Sequence, residues 1–134
     1  MKVVVTGATG FVGSKIVDVL IERGHDVRGV ATCSNKERFL DKPWINSKIA
    51  LYKGSVTDVH YLEEALCEAD LIFHQAGLRY ANNSKDYIDV NAIGTLNLFD
   101  VVKSKKLNIK KIIYASTNLV YGEGRYLCEN HGVF

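Results

Sequence analysis

The chain has 134 residues, with 17 lysines and arginines against 15 aspartates and glutamates, for a net charge of +2. Hydrophobic residues make up 47% and charged residues 24%, the balance of one globular domain with a real core. No basic stripe interleaves with aromatics and no apolar run approaches the length of a membrane span, which excludes nucleic-acid and transmembrane roles. Cys33, Cys67 and Cys128 are odd in number and far apart. They read as reduced thiols of a cytoplasmic protein rather than a disulfide framework. A strand opens the chain, so no signal peptide is expected.

Lys2 to Thr6 is the first predicted strand, and it runs directly into TGATGFVG, residues 6 to 13. Gly7 lets the chain turn sharply out of the strand. Gly10 lets a phosphate approach the backbone, and Gly13 lets the next helix pack close to the sheet. That helix carries Phe11, Val12, Ile16, Val19 and Leu20 at helical spacing, runs to Arg23 and closes on Gly24. Its N-terminus offers free N–H groups and a positive dipole end to a pyrophosphate, the signature of dinucleotide binding. Asp26 to Ala31 is strand two. Asn35 to Leu40 is a short helix or turn that Pro43 interrupts. Ile49 to Tyr52 is strand three. Asp58 caps a helix carrying Leu62, Ala65 and Leu66. Asp70 leads into strand four, Leu71 to His74. Ser84 caps a long helix to about Lys105, with Tyr87, Val90, Ile93, Leu98, Val101 and Val102 as apolar positions. Lys111 to Ala115 is strand five. Strands alternate with helices and are apolar on both faces, so an α/β fold is expected: a doubly wound, Rossmann-type parallel sheet in the order 3-2-1-4-5. Its ligand crevice belongs at the carboxyl ends of strands one and four.

Four segments line up as a set: TGATGFVG, FHQAG (Phe73 to Gly77), VNAIGTLNLFD (Val90 to Asp100) and YASTNLVYG (Tyr114 to Gly122). Together they resemble the extended short-chain dehydrogenase/reductase superfamily, in its NAD-dependent epimerase/dehydratase branch acting on nucleotide sugars. The resemblance covers the whole chain, as a single NAD(P)-binding domain over residues 1–134. It covers only the N-terminal part of a typical member, before the last strands and the substrate domain. It implies that Gly7, Thr9, Gly10, Phe11 and Val12, with Gly13 closing the loop, hold the pyrophosphate. Ala31 and Thr32 would stand beside the adenosine ribose, and Ser55 and Val56 would flank the adenine. Gln75, Ala76 and Gly77 would lie under the ribose and nicotinamide. Asn91 would support the site architecture, and Ala115 and Ser116 would end strand five beside the nicotinamide. His74 is scaffold in this scheme.

Four positions depart from the family pattern. Ala31 stands where NAD users carry a ribose-binding acid, and Thr32, Cys33 and Ser34 supply none. Lys36 or Arg38 could instead reach a 2′-phosphate, so NAD is expected from the resemblance, with NADP as the alternative. Ser55 replaces a frequent aspartate. Asn118 replaces a Ser, Thr or Asp that polarises the sugar's reacting oxygen, which leaves Thr117 as the candidate catalytic hydroxyl. Finally, no Tyr-x-x-x-Lys pair occurs; Tyr121 is followed four residues on by Arg125. The chain is therefore expected to be the cofactor-holding part of a nucleotide-sugar epimerase or dehydratase, inactive alone. The alternatives are a non-catalytic dinucleotide-binding module, half of a split enzyme, and an NADP-dependent carbonyl reductase. Expected partners are a nucleotide-diphosphate sugar in the full-length family, and a second copy of the chain or a complementing C-terminal fragment. Arg79 is a candidate substrate contact. Cys128 and His131 have the spacing of half a zinc site, but no further ligands follow, so no metal is expected.

Overall fold

The computed structural model describes residues 1–32, 44–80, 82–122, 124–125 and 127–133, with 118 and 119 by backbone alone. The expected turn at 35–40, with Cys33, Ser34, Lys36, Arg38 and Pro43, lies outside the described residues.

The strands are β1 (Lys2–Thr6), β2 (Asp26–Ala31), β3 (Ala50–Lys53), β4 (Leu71–His74) and β5 (Lys111–Tyr114). They form one parallel sheet in the order β3-β2-β1-β4-β5, as the alternation of elements requires. β1 is central: Val4 pairs in register with Arg28 on one side and Ile72 on the other. Successive side chains of β1 face opposite layers. Val3 and Val5 join Val17, Leu20 and Val27 under α1 (Phe11–Glu22). Val4 joins Leu62, Ile72, Leu98 and Val101 under α2 (Val59–Leu66) and α4 (Gly94–Ser104). Full burial on both faces explains why β1 is an unbroken apolar run.

Three local details differ from the sequence-based expectation. The buried stripe of α1 is Gly13, Ser14, Val17 and Leu20, whereas Phe11, Val12 and Val19 face solvent. The helix has rolled so that Gly13 lies against Gly7, which fixes its register on the sheet. β3 starts at Ala50 because its pairing with Arg28 to Ala31 begins there, and Ile49 packs on the α1 side instead. β5 ends at Tyr114, although the Ala115 N–H still donates to the His74 carbonyl at 3.0 Å.

The long helix is composite. Asn83, not Ser84, caps it, its side-chain oxygen accepting the Asp86 N–H at 2.9 Å. After α3 (Ser84–Tyr87) the backbone widens into a π-helical stretch, Ile88–Ile93, before α4 resumes. Asp70 ties strand starts together: its carboxylate accepts the Lys2 backbone N–H at 2.9 Å and the Lys110 ammonium at 2.8 Å. Those bonds, Lys110 first, hold its carboxyl below the usual range. A 3-10 turn (Asn118–Tyr121) and a two-stranded hairpin, β6 (Leu127–Cys128) and β7 (Gly132–Val133), follow β5. No helix among the described residues is long and apolar enough to cross a membrane.

Asp58 caps α2 as expected, its carboxylate accepting the Tyr61 N–H at 3.1 Å. Asp58→Ala is expected to lower stability by about 1 kcal/mol in urea unfolding. An unchanged midpoint would show that the cap is dispensable.

Candidate functional site

A cleft of about 220 Å³ opens at the carboxyl ends of β1, β2, β3 and β4. Its floor is the glycine turn. Gly7 has φ +68°, and a β-carbon there would lie 2.8 Å from the Ala76 nitrogen and the Gln75 carbonyl, so only glycine fits. The Gly7 and Ala8 N–H groups both donate to the Val30 carbonyl, at 2.8 and 3.3 Å, pinning the turn to β2. Gly10 is the N-cap of α1, and no side chain caps that helix. The first-turn N–H groups therefore have no partner within the helix, and the positive end of its dipole meets the cleft at Gly10.

Most of the expected residues converge here. Gly7, Thr9 and Gly10 line one side. Ala31, Thr32, Ser55 and Val56 line the second, and Gln75, Ala76 and Gly77 the third. The Ser55 hydroxyl is engaged locally, accepting the Thr57 N–H at 3.1 Å and bonding the Thr57 hydroxyl at 2.8 Å. Among the described residues, none that lines the cleft is ionisable. An anion bound there would be met by backbone N–H groups and a helix dipole.

Other expected residues lie elsewhere. Phe11 and Val12 are exposed on α1 outside the cleft, and Gly13 is buried beneath it. Asn91 does not line the cleft but stands one step behind it. Its Oδ1 accepts the Leu78 N–H at 2.7 Å and its Nδ2 donates to the Leu78 carbonyl at 3.0 Å. Ala115, Ser116 and Thr117 are exposed beyond β5 and do not reach the cleft. The side chain of Asn118 lies outside the described residues. The Arg79 guanidinium sits over the Tyr80 ring, 5.4 Å from its centroid, on an exposed loop.

Sequence reasoning missed Val30, Gly54, Leu78 and Val90 as lining residues. Gly54 carried a signal, since it directly precedes Ser55 at a strand end. Leu78 is set by the Asn91 clamp, which no local pattern encodes. The scaffold role expected of His74 has a specific form. The ring is buried between β1 and α4 and stacks on Tyr114 of β5, with centroids 5.7 Å apart. Burial pushes its pKa below the ordinary value. In the hairpin, the Cys128 Sγ and His131 Nδ1 lie 3.2 Å apart. Among the described residues no group of three or more His, Cys, Asp or Glu side chains could hold a metal.

Residues 3–131 match the NAD dependent epimerase/dehydratase family. A putative UDP-glucose 4-epimerase of Methanocaldococcus jannaschii is 34% identical over 98% of this chain and 44% of its own length. The structure is similar to that of a UDP-glucose 4-epimerase from Thermotoga maritima crystallised with UDP-glucose, at a TM-score of 0.79 and 30% identity, covering 92% of this chain and 40% of that one. It is also similar to a Thermus thermophilus UDP-glucose 4-epimerase in complex with NAD, at a TM-score of 0.73 and 27% identity, covering 87% of this chain and 38% of that one. The chain thus spans less than half the length of the relatives it matches. With a glycine turn under an uncapped helix, a parallel sheet in the order 3-2-1-4-5 and these matches, the chain belongs to the NAD-dependent epimerase/dehydratase family.

Proposed function

We propose that the cleft holds NAD and that these residues form the dinucleotide-holding part of a nucleotide-sugar epimerase or dehydratase. The observation that carries this reading is the uncapped N-terminus of α1 at Gly10, against a turn in which a β-carbon on Gly7 would strike backbone. A pyrophosphate fits such a cradle, because it brings the negative charge that neither a cap nor an acidic side chain supplies. Bound NAD would supply a nicotinamide able to take a hydride from a sugar carbon and return it. The chain's own residues would bind and orient: the glycine turn at the phosphates, Ser55 and Val56 beside the adenine, and Gln75 to Gly77 beneath the nicotinamide ribose. The substrate would be a nucleotide-diphosphate sugar, as the names of the relatives indicate for those proteins. Thr117 is the hydroxyl these residues offer near the end of β5, and Arg79 an outer substrate contact. No Tyr-x-x-x-Lys occurs, so the proton-transferring pair is not among these residues.

A second reading has its own support. Ala31 and Thr32 place no carboxylate at the end of β2, which favours NADP and a carbonyl reductase. A third reading, a dinucleotide-binding module or split-enzyme half completed by another segment, is favoured by β5, which forms one edge of the sheet with Ile113 and Tyr114 exposed.

One titration separates these. Trp44 is the chain's one tryptophan and borders a groove with Thr9 and Phe11, so its fluorescence reports on the glycine turn. NAD is expected to bind more tightly than NADP. Gly10→Val is expected to keep the fold but weaken NAD by about tenfold or more, since the side chain would occupy the phosphate's approach. NADP preference would transfer the argument to the reductase reading. Undiminished NAD binding by Gly10→Val would remove the phosphate cradle.

A further inference from the structure

The hydrogens around His74 have one consistent arrangement. Thr95 Oγ1 lies 2.9 Å from the Asn91 carbonyl, which can only accept, so the single Thr95 hydroxyl hydrogen goes there. Thr95 Oγ1 must then accept from His74 Nε2, 3.0 Å away, and Nε2 carries the ring proton. In a neutral ring Nδ1 is then a lone pair, and Thr6 Oγ1 donates to it across 2.7 Å. The same Thr6 oxygen accepts the Ala76 N–H at 3.1 Å. A one-way chain results: Ala76 N–H to Thr6, Thr6 to His74, His74 to Thr95, Thr95 to the Asn91 carbonyl. The Asn91 side chain in turn grips both backbone groups of Leu78. Both ends of the chain, Ala76 and Leu78, line the cleft.

We propose that His74, as the neutral Nε2–H tautomer, is a positioning residue that holds the cleft wall at Ala76 to Leu78, and that a second proton on its ring loosens this wall and releases the dinucleotide. The release rests on the cleft being the dinucleotide site.

A proton on Nδ1 turns that atom into a donor facing Thr6. Thr6 Oγ1 would then receive two donors, and its own hydrogen would lose its acceptor inside a fully buried site. The ring is approached by Thr6 from β1, Thr95 from α4 and Tyr114 from β5, of which Tyr114 alone is titratable. Burial lowers its pKa, and among the described residues the groups that bond or stack on the ring carry no charge to compensate an imidazolium. The sign follows. The folded ring resists protonation, so its contribution is complete above the ordinary value of 6.5 and is lost as pH falls from there through the lower folded value.

The test reads the ring and the wall separately from cofactor binding. ¹⁵N shifts of the His74 imidazole at neutral pH should show Nε2 protonated and Nδ1 bare. The Ala76 and Leu78 amide signals should shift with the same midpoint as the ring. The NAD dissociation constant should rise about tenfold between about pH 7.5 and about pH 5, and His74→Gln, which keeps a donor toward Thr95 without a titrating proton, should flatten that profile. A proton on Nδ1 at neutral pH, or Ala76 and Leu78 amides indifferent to ring titration, overturns the proposal. So does NAD affinity that stays constant while the ring titrates. If NAD fails to bind at every pH, the dinucleotide reading fails, while the tautomer and amide signals still decide the role of His74 in the wall.

Discussion

Gly13→Ala is expected to destabilise the chain by about 3 kcal/mol, far more than Gly10→Ala. A β-carbon at this position would lie 2.1 Å from the Gly7 carbonyl oxygen, 2.8 Å from the Gly7 carbonyl carbon and 3.1 Å from the Ala8 Cα. All three atoms are backbone, so no side chain can swing aside. Either α1 lifts from the sheet or the turn deforms, and the turn is pinned to Val30. Gly10 is the natural comparison. Its β-carbon would come no nearer than 3.2 Å to the Gly7 oxygen, at a residue already exposed, so Gly10→Ala should cost little stability. Urea unfolding followed by circular dichroism measures both. A Gly13→Ala midpoint matching that of Gly10→Ala would show that helix and strand have room the structure denies them.

Ile72→Ala should be nearly as severe, at about 3 kcal/mol, out of a total stability of about 5–15 kcal/mol for a domain of this size. Ile72 is fully buried. It pairs with Val4 on one side and Ile112 on the other, and belongs to the cluster of Leu62, Leu66 and Leu98. Removing three carbons there leaves a cavity walled by two helices and three strands. Ile72→Val removes one methylene and should cost about 1 kcal/mol. Thermal unfolding of the pair gives the gradient. Equal losses for the two variants would mean that the wall collapses onto the cavity and that packing at this point is loose.

The parts of the fold that were legible in the sequence are those carried by local chemistry. β1, β2 and β4 match their expected bounds: β1 and β4 centre on short apolar runs, and β2 is set off by the Gly24 turn and places apolar Val27, Val30 and Ala31 in the core. The parallel order follows from the alternation of strands and helices, which leaves few arrangements that bury both faces of the sheet. The three glycines of the turn could be assigned separate roles in advance because spacing alone puts Gly13 one helical turn from Gly10. What escaped was set by tertiary contact. Phe11 and Val19 look like core residues by periodicity, but the Gly13–Gly7 contact turns them outward. Asn83 outcompetes Ser84 as a cap, a shift of one residue that propensity cannot resolve. The residues grouped at the end of β5 were placed at the site by resemblance, and in the structure Ala115, Ser116 and Thr117 lie outside the cleft. The link from Asn91 through Thr95 and His74 to Thr6 joins residues from opposite parts of the chain, and no short-range pattern announces it.

The π-helical stretch from Ile88 to Ile93 fixes the phase of everything after it. A residue in an α-helix advances about 100° around the axis, so one residue more or less within this stretch would rotate α4 by that angle against the sheet. After a one-residue deletion Phe99, now exposed, would take the buried place of Leu98, while Leu98 and Val101 would move to the less buried places of Asn97 and Asp100. Gly94, whose missing β-carbon leaves room for Val56 beside the cleft, would lose its place opposite that residue. Point substitutions along this helix can be absorbed one at a time, whereas a single-codon deletion here would change the core and the cleft together. The segment is thus a frame for the helix in the way a reading frame is for a gene: tolerant of spelling, intolerant of length.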